Sequence, residues 1–393
     1  MDYRYNERQQ ALIKKIEEVC KNQLIPIQEE FGEQDVLSFD MVRALAENDF
    51  YRRHIPVKYG GLNEAEDANA TELCIIREEL ARLCPLAEST YSVTGLGSYP
   101  ILLAGTEEQK KHYLGKMVSG EEVFAFALTE PNAGSDAVSL QTTAKLDGDE
   151  WVINGKKIFI SNAGDAGVYV VFARTSNAPG SKGISTFIVE DDTIGLEVSQ
   201  RLTMIAPHPI GELTFTNCRV PKENLLGEEG RGFKYAMQTL DMFRSSVGAQ
   251  QVGFARSALE HAAEYARQRH AFGGPITQFQ AIQFKLADIY TEIQAAKNLV
   301  YYAAHRKDLG NRVTKEAAIA KLYATQVAQR AAYEGQQIFG GYGMIKGNPL
   351  ELIYREVRPA AIYEGSTEIQ HMVIGRGMIN GSFIDENLEK VLL

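Results

Sequence analysis

Over roughly the first 120 residues, apolar positions recur at helical spacing. Leu12, Ile13, Ile16 and Val19 form one stripe, and Cys20 adds to it. A Pro-Val-Lys-Tyr-Gly-Gly connection at 56–61 interrupts this pattern, Leu73 to Leu83 resumes it, and Gly-Ser-Tyr-Pro at 97–100 predicts a second break. Thr106 followed by Gln109 fits a capping box that opens a short helix through Leu114. Near residue 123 the texture changes. The apolar run Val123–Leu128 is followed by Gln141–Leu146, Trp151–Ile153, Lys156–Ile160, Val168–Ala173 and Ile184–Val189, all with strand character. Asp147-Gly148 and Asn154-Gly155 predict tight hairpin turns between them. Short strands with turns this close suggest a small barrel or sandwich, ending near Val220-Pro221, with Thr214, Phe215 and Asn217 in its last strand.

From about residue 229 the helical pattern returns. Ile282, Leu286, Ile289, Ile293, Ala296 and Leu299 step by three and four, as in a coiled-coil seam. An alanine-rich helix follows over 315–338, after a short turn at 309–313, and two long amphipathic helices so joined predict a four-helix bundle. The fold class is therefore α+β: a helical domain over 1–121, a β-barrel or sandwich over 122–228, and a helical bundle over 229–393.

Composition narrows the function. A chain of 393 residues exceeds one ordinary hydrophobic core. Its net charge of −10 and pI near 5.4 argue against nucleic acid or an anionic membrane as the main partner. No apolar run is long enough to span a bilayer, and Met1-Asp2-Tyr3-Arg4-Tyr5 does not read as a secretory signal. Cys20, Cys74, Cys84 and Cys218 lack metal-ligand spacing, which suits buried thiols in a cytoplasmic setting.

The candidate chemistry gathers at Tyr363-Glu364-Gly365-Ser366-Thr367-Glu368-Ile369-Gln370. Thr367 and Gln370 have capping-box spacing, and Gly365 permits close approach and positive φ. Glu364 projects a carboxylate just before the helix. It is either a desolvated general base or a charge that complements the helix dipole. Thr129-Glu130-Pro131-Asn132-Ala133-Gly134-Ser135-Asp136 leaves a strand as a loop of small residues, able to hold a flat heterocycle or to be plain surface. It has no Walker lysine, and no Gly-x-Gly-x-x-Gly fingerprint follows a leading strand. Phe159-Ile160-Ser161-Asn162 ends a strand with polar groups. Arg269, Phe272-Gly273 and Gln280 could place a guanidinium on a pyrophosphate. Asp241 and Arg244 share a helix face, as an ion pair or a substrate clamp. His208, between two prolines, reads as a loop residue.

Together these motifs, with Ile153-Asn154-Gly155-Lys156-Lys157-Ile158 and Gln337-Ile338-Phe339-Gly340-Gly341-Tyr342-Gly343, resemble the acyl-CoA dehydrogenase family over nearly the whole chain. The resemblance implies FAD between the β domain and the bundle of a homotetramer. Phe126, Ala127, Leu128, Thr129, Phe159, Ile160 and Ser161 would line the isoalloxazine, and Ser135 counts among the cofactor contacts. Ser366 and Glu368 would hold the ribityl and pyrophosphate side. Arg269, Phe272, Gln280, Gln337 and Gly341 would reach the adenine half of a neighbouring subunit's FAD. Ser135, Asp241, Arg244, Gly365 and Arg376 match acyl-CoA contacts.

The resemblance makes Glu364 the base that removes the α-proton while the β-hydrogen leaves as hydride to the flavin N5. Its backbone N–H would help hold the thioester oxygen. The base position used by other members is Phe243 here. Electrons would pass to an electron-transfer flavoprotein. The stretch Met204 to Glu212 and His371 depart from the family pattern. Around Glu88-Ser89-Thr90-Tyr91 no arginine is present for a glutaryl carboxylate, and Tyr91 and Tyr99 suggest a short, branched or alicyclic acyl group. The alternatives are an enoyl-CoA reductase or flavin oxidase on the same scaffold, or a non-catalytic helical assembly protein.

Overall fold

A computed structural model describes residues 5–381. The first four residues of the N-terminal segment read above and residues 382–393 of the expected bundle domain lie outside them. The chain divides into two compact units. One comprises Met1–Glu17, Ala70–Pro85 and Asp241–Leu393, the other Glu18–Asn69 and Leu86–Leu240.

The second unit is built on a seven-stranded sheet, β1 (Phe124–Ala127), β2 (Thr143–Asp147), β3 (Glu150–Ser161), β4 (Val168–Arg174), β5 (Ile184–Glu190), β6 (Leu196–Leu202) and β7 (Ile210–Pro221). β4 pairs with β1 in parallel and β5 antiparallel, and touches β2 at Thr143–Arg174, so the sheet curls around it. Six of its seven residues are buried, as a strand covered on both faces requires. The Asp147-Gly148 hairpin forms, with Asp147 opposite Glu150 and Gly148 at φ 63°.

Asn154-Gly155 is not a hairpin, however. Gly155 lies inside β3 at φ 149°, where the register against β7 shifts, and a Cβ there would meet the Thr142 backbone at 2.7 Å. The glycine marks a bulge that lets the backbone entering β2 at Thr142 pass close to the strand. β6 carries no clear alternation and was not expected. The predicted break at 97–100 is also absent, since one helix runs Pro85–Ala104 through Pro100. Burial overrides local propensity there. Gly97 lets the helix approach Phe124, whose carbonyl carbon would lie 2.6 Å from a Cβ. The capping box at Thr106 and Gln109 forms as expected.

Two polar groups are buried in this unit at a cost that fixes its geometry. Lys157 is fully buried on β3, and its ammonium donates to Glu130 Oε1 at 2.7 Å and to the Leu128 carbonyl at 3.0 Å. Glu130 also accepts the N–H groups of Gln141 and Thr142, so one carboxylate closes both ends of the loop that leaves β1. His54 packs edge-on to Tyr91 and hydrogen-bonds its hydroxyl through Nδ1 at 3.1 Å. Tyr91 is 0% exposed and stacks on Tyr51, and Tyr99 donates to Asp67 at 2.8 Å. Both tyrosines are buried within their unit.

The first unit contains the bundle. The helix Gly232–Gln268 enters it at Asp241 and is followed by Gln280–Asp308, Thr314–Phe339 and Thr367–Ile379. Ile289, Ile293, Ala296 and Val300 face the core, so the seam expected from Ile282 onward is buried in its C-terminal part, while Leu299 is half-buried beside it. Alanines line the Thr314–Phe339 helix and permit close helix contact. The helix Ala70–Leu83 packs in this unit too. Its buried Glu78 accepts from Lys297 at 2.6 Å and from the Tyr301 hydroxyl at 2.7 Å, and Arg256 bridges Glu78 and Glu79. The four cysteines are buried thiols. Among the described residues no helix is long and apolar enough to cross a membrane, and no cluster has the makings of a metal site.

Two outcomes follow from the buried groups. Lys157→Met would strand the Glu130 carboxylate and should cost roughly 3–5 kcal/mol in denaturant unfolding, with part recovered by adding Glu130→Gln. An unchanged unfolding midpoint would show that the pair is not buried in solution. Burial lowers the His54 imidazole to about 4, against about 6.5 in the unfolded chain. The unfolded state therefore binds the extra proton first, and stability falls as pH drops from 6.5 towards 4. By pH 5 the loss reaches on the order of 2 kcal/mol from this group. His54→Gln should shrink the drop in thermal midpoint between pH 7 and pH 5.

Candidate active site

The turn before the last helix is held from three sides. Glu364 and Gly365 are both left-handed, at φ 51° and 91°. For a glutamate that conformation costs about 1–2 kcal/mol and persists only where surrounding contacts impose it. A Cβ at Gly365 would also lie 2.5 Å from the Gln370 side-chain amide nitrogen, which would have to move aside, while the angle itself favours glycine. Ser366, rather than Thr367, caps the helix by accepting the Ile369 N–H, and Thr367 donates its hydroxyl to the Ala361 carbonyl. The helix thus begins at Thr367, one position earlier than a threonine cap would start it, directly after the two left-handed residues.

The carbonyls of this turn point at buried donors. Lys321, 1% exposed on the Thr314–Phe339 helix, donates at 2.6 Å to both Tyr363 and Gly365. Arg244 Nε donates to the Glu364 carbonyl at 3.3 Å, Gln370 reaches Gly365 at 2.7 Å, and the Tyr363 hydroxyl donates to Gln250 at 2.7 Å. Burial lowers the Lys321 ammonium to about 8, opposed by the Glu364 carboxylate and reinforced by Arg244. Glu364 itself is half-buried.

Asp241 and Arg244 pair as their spacing predicts, and Thr314 donates to the other Asp241 oxygen at 2.7 Å. Arg244 is thus built into the Glu364 turn, through its link to that carbonyl. Phe243, at the alternative base position, is 1% exposed. Glu368 is exposed in the first turn of the last helix, where backbone N–H groups and the Ser366 side chain hold its carboxyl below the usual range. Arg376 lies exposed farther along the same helix.

At one end of the bundle, Tyr265, Arg269, Ile276, Phe339, Gly341 and their neighbours line an open cleft of about 560 Å³. Tyr265 and Phe339 stack there with ring centroids 4.2 Å apart and planes at 17°. Arg269 and Gly341 were expected together, whereas the aromatic pair was not. Phe272 is 95% exposed at the tip of the small hairpin between His270 and Pro275, and Gln280 and Gln337 are exposed outside the cleft lining.

In the β unit, the Ile158 N–H donates to the Thr129 carbonyl at 2.9 Å, which brings Phe126–Thr129 and Phe159–Ser161 side by side. Ala127, Leu128 and Ile160 face inward, and Ser135 is exposed on its loop. Phe159 stands 62% exposed on a left-handed backbone at φ 58°. Ser161 shares a hydrogen bond of 2.7 Å with His208 Nε2, while His208 Nδ1 meets Ser89 at 3.0 Å. The Asp35 carboxylate accepts the His208 backbone N–H at 3.2 Å. Burial lowers this imidazole to about 4, against an opposing pull from Asp35, so it is neutral at pH 7 and donates to one serine while accepting from the other. The sequence reading treated His208 as a loop residue and passed over this link. Lys321 was legible as a lysine among Ala317, Ala320 and Ala324 on an apolar stripe.

Comparison with known proteins matches this architecture from end to end. Models of the acyl-CoA dehydrogenase N-terminal, middle and C-terminal domains match residues 6–121, 125–218 and 230–379. A 3-(aryl)acrylate reductase of Clostridium sporogenes is 40% identical over 95% of this chain and 99% of its own. The butyryl-CoA dehydrogenase structure from Megasphaera elsdenii superposes with a TM-score of 0.92 at 40% identity, covering 96% of this chain and 100% of that one. A chain from the structural study of the electron transferring flavoprotein of Acidaminococcus fermentans gives a TM-score of 0.93 at 39% identity, over 98% and 100%. With all three domain models in order and relatives matched over their full length, this chain belongs to the acyl-CoA dehydrogenase family.

Proposed function

We propose that this acyl-CoA dehydrogenase oxidises a short-chain acyl-CoA between its α and β carbons, with Glu364 removing the α-proton. The observation that carries the assignment is the Glu364 turn. Its strained backbone is held by Lys321, Arg244 and Gln370, which fixes where the carboxylate leaves the chain. Such fixing is what a base needs to meet one C–H bond of a bound thioester. The Glu364 N–H is assigned to the thioester oxygen, where it would stabilise the charge that develops as the proton leaves.

The residues fit FAD in two places. Exposed Phe159, beside the Thr129 and Ser161 hydroxyls, offers a face and polar groups to a flat ring. The Tyr265–Phe339 stack with Arg269 offers the same to an adenine and its phosphates. Bound FAD supplies the hydride acceptor that no side chain can provide. Phe126 to Thr129 and Phe159 to Ser161 are assigned to the isoalloxazine, and Ser366 and Glu368 to the ribityl and pyrophosphate side. Ser135, Asp241, Arg244, Gly365 and Arg376 are assigned to the acyl-CoA.

Arg269, Phe272, Gln280, Gln337 and Gly341 all lie at exposed positions of the helical unit. This supports their assignment to a neighbouring subunit's FAD in a homotetramer. An electron-transfer flavoprotein is the proposed acceptor, supported by the likeness to the Acidaminococcus chain. The domain limits 1–121, 122–228 and 229–393 are retained, as is the cytoplasmic setting, supported respectively by the matched models and the buried thiols.

The acyl group is assigned as short, on the likeness to a butyryl-CoA dehydrogenase. A branched or alicyclic acyl group is the wider range proposed from Tyr91 and Tyr99, both buried in the β unit. A second reading, enoyl-CoA reduction, is favoured by the reductase at 40% identity.

Glu364→Gln should retain yellow FAD and bind the thioester while turnover falls by at least about a hundredfold, the scale of an essential base. Turnover near that of the parent enzyme would remove Glu364 from the chemistry. Anaerobic mixing with butyryl-, isobutyryl-, cyclohexanecarbonyl- and glutaryl-CoA should bleach the flavin band fastest with butyryl-CoA. If none of them bleaches it, while the chemically reduced enzyme is rapidly reoxidised by an enoyl-CoA, the reductase reading replaces this one.

A further inference from the structure

We infer that Lys321 is a positioning residue for Glu364, holding its turn and keeping its carboxylate in the charged form that a base requires. The inference rests on Glu364 being the base. A lysine is almost never fully buried unless its ammonium is satisfied, and the buried face around Lys321 is mostly alanine. Its partners are backbone oxygens, those of Tyr363 and Gly365, each at 2.6 Å. One ammonium can bridge these two carbonyls because Glu364 and Gly365 are both left-handed, which curls the backbone between them. The intervening Glu364 carbonyl takes Arg244 instead. Lys321 thus grips the chain immediately before and immediately after the catalytic carboxylate without bonding its backbone.

Charge adds a second effect. Glu364 attracts the Lys321 ammonium and Arg244 repels it. Arg244 is paired with Asp241, which also binds Thr314, and the facing Tyr363 phenol is bonded to Gln250. The attraction between Lys321 and Glu364 is mutual, so the ammonium resists protonation of the carboxylate as pH falls. Its hydrogen bonds go to the backbone carbonyls on either side of Glu364. Its influence therefore passes through Glu364.

The test compares Lys321→Met and Lys321→Arg in the purified flavin-loaded enzyme. Methionine keeps the length and removes both the charge and the donors. In that variant kcat should fall at least tenfold with KM for butyryl-CoA changed less than threefold, and the acid limb of kcat/KM should move up by about one pH unit. Amide exchange over residues 363–370 should accelerate. Lys321→Arg should return the acid limb to its parental position, because the charge is restored. A Lys321→Met enzyme with the parental acid limb and kcat overturns the inference. If that variant does not fold, Lys321→Arg decides through kcat and exchange, since a fixed fork cannot reproduce the two short bonds, and parental values for both overturn it. Glu364→Gln separates the two failures. An active Glu364→Gln enzyme overturns the base assignment and this inference with it. An inactive one beside an unaffected Lys321→Met enzyme overturns this inference alone.

Discussion

A buried ammonium has to find acceptors, and that requirement shapes the turn that carries Glu364. Lys321 sits on a buried helix face made mostly of alanines, and its ammonium bonds to backbone oxygens. The acceptors come from a backbone turn that presents two carbonyls to one point. Only a chain with consecutive left-handed residues curls in that way, which is why a glycine follows Glu364 and why Glu364 itself is strained. Arg244, Asp241 and Thr314 extend the arrangement into the neighbouring helices. The carboxylate that emerges has little freedom left in its backbone.

Buried charge fixes position elsewhere by the same reasoning. Glu78 lies inside the helical unit at 0% exposure with Arg256, Lys297 and Tyr301 around it, and this ties the Ala70–Leu83 helix to the bundle despite its early place in the chain. In the β unit Lys157 and Glu130 close the loop after β1 beside the residues assigned to the flavin ring. Such pairs offer little net stability over well-packed apolar residues. They do allow only one arrangement of the groups that satisfy them.

Membership of a dehydrogenase family does not by itself decide the direction of the reaction. Oxidation of a thioester and reduction of its enoyl product share a transition state, and the group that takes the α-proton in one direction returns it in the other. Relatives at similar identity carry names from both directions.

The sequence by itself determined what local periodicity and turn chemistry encode. It showed the order of helical, β and helical segments, the Asp147-Gly148 hairpin, the Thr106 capping box, the loop between the two long bundle helices, and a glycine-flanked glutamate before a helix. These depend on neighbours in the chain, whose spacing alone sets which face is apolar and which backbone angle is needed. Tertiary structure decided the rest. Gly97 and Pro100 continue a helix because Phe124 packs against it, and Gly155 makes a bulge because Thr142 passes close by. Ser366 replaces Thr367 as the cap where the left-handed turn at Glu364 and Gly365, held by Lys321, ends. Lys321 itself looked like one more helix lysine, and its role lies in carbonyls forty residues farther on. No local pattern records a contact of that span, because only folding brings donor and acceptor together.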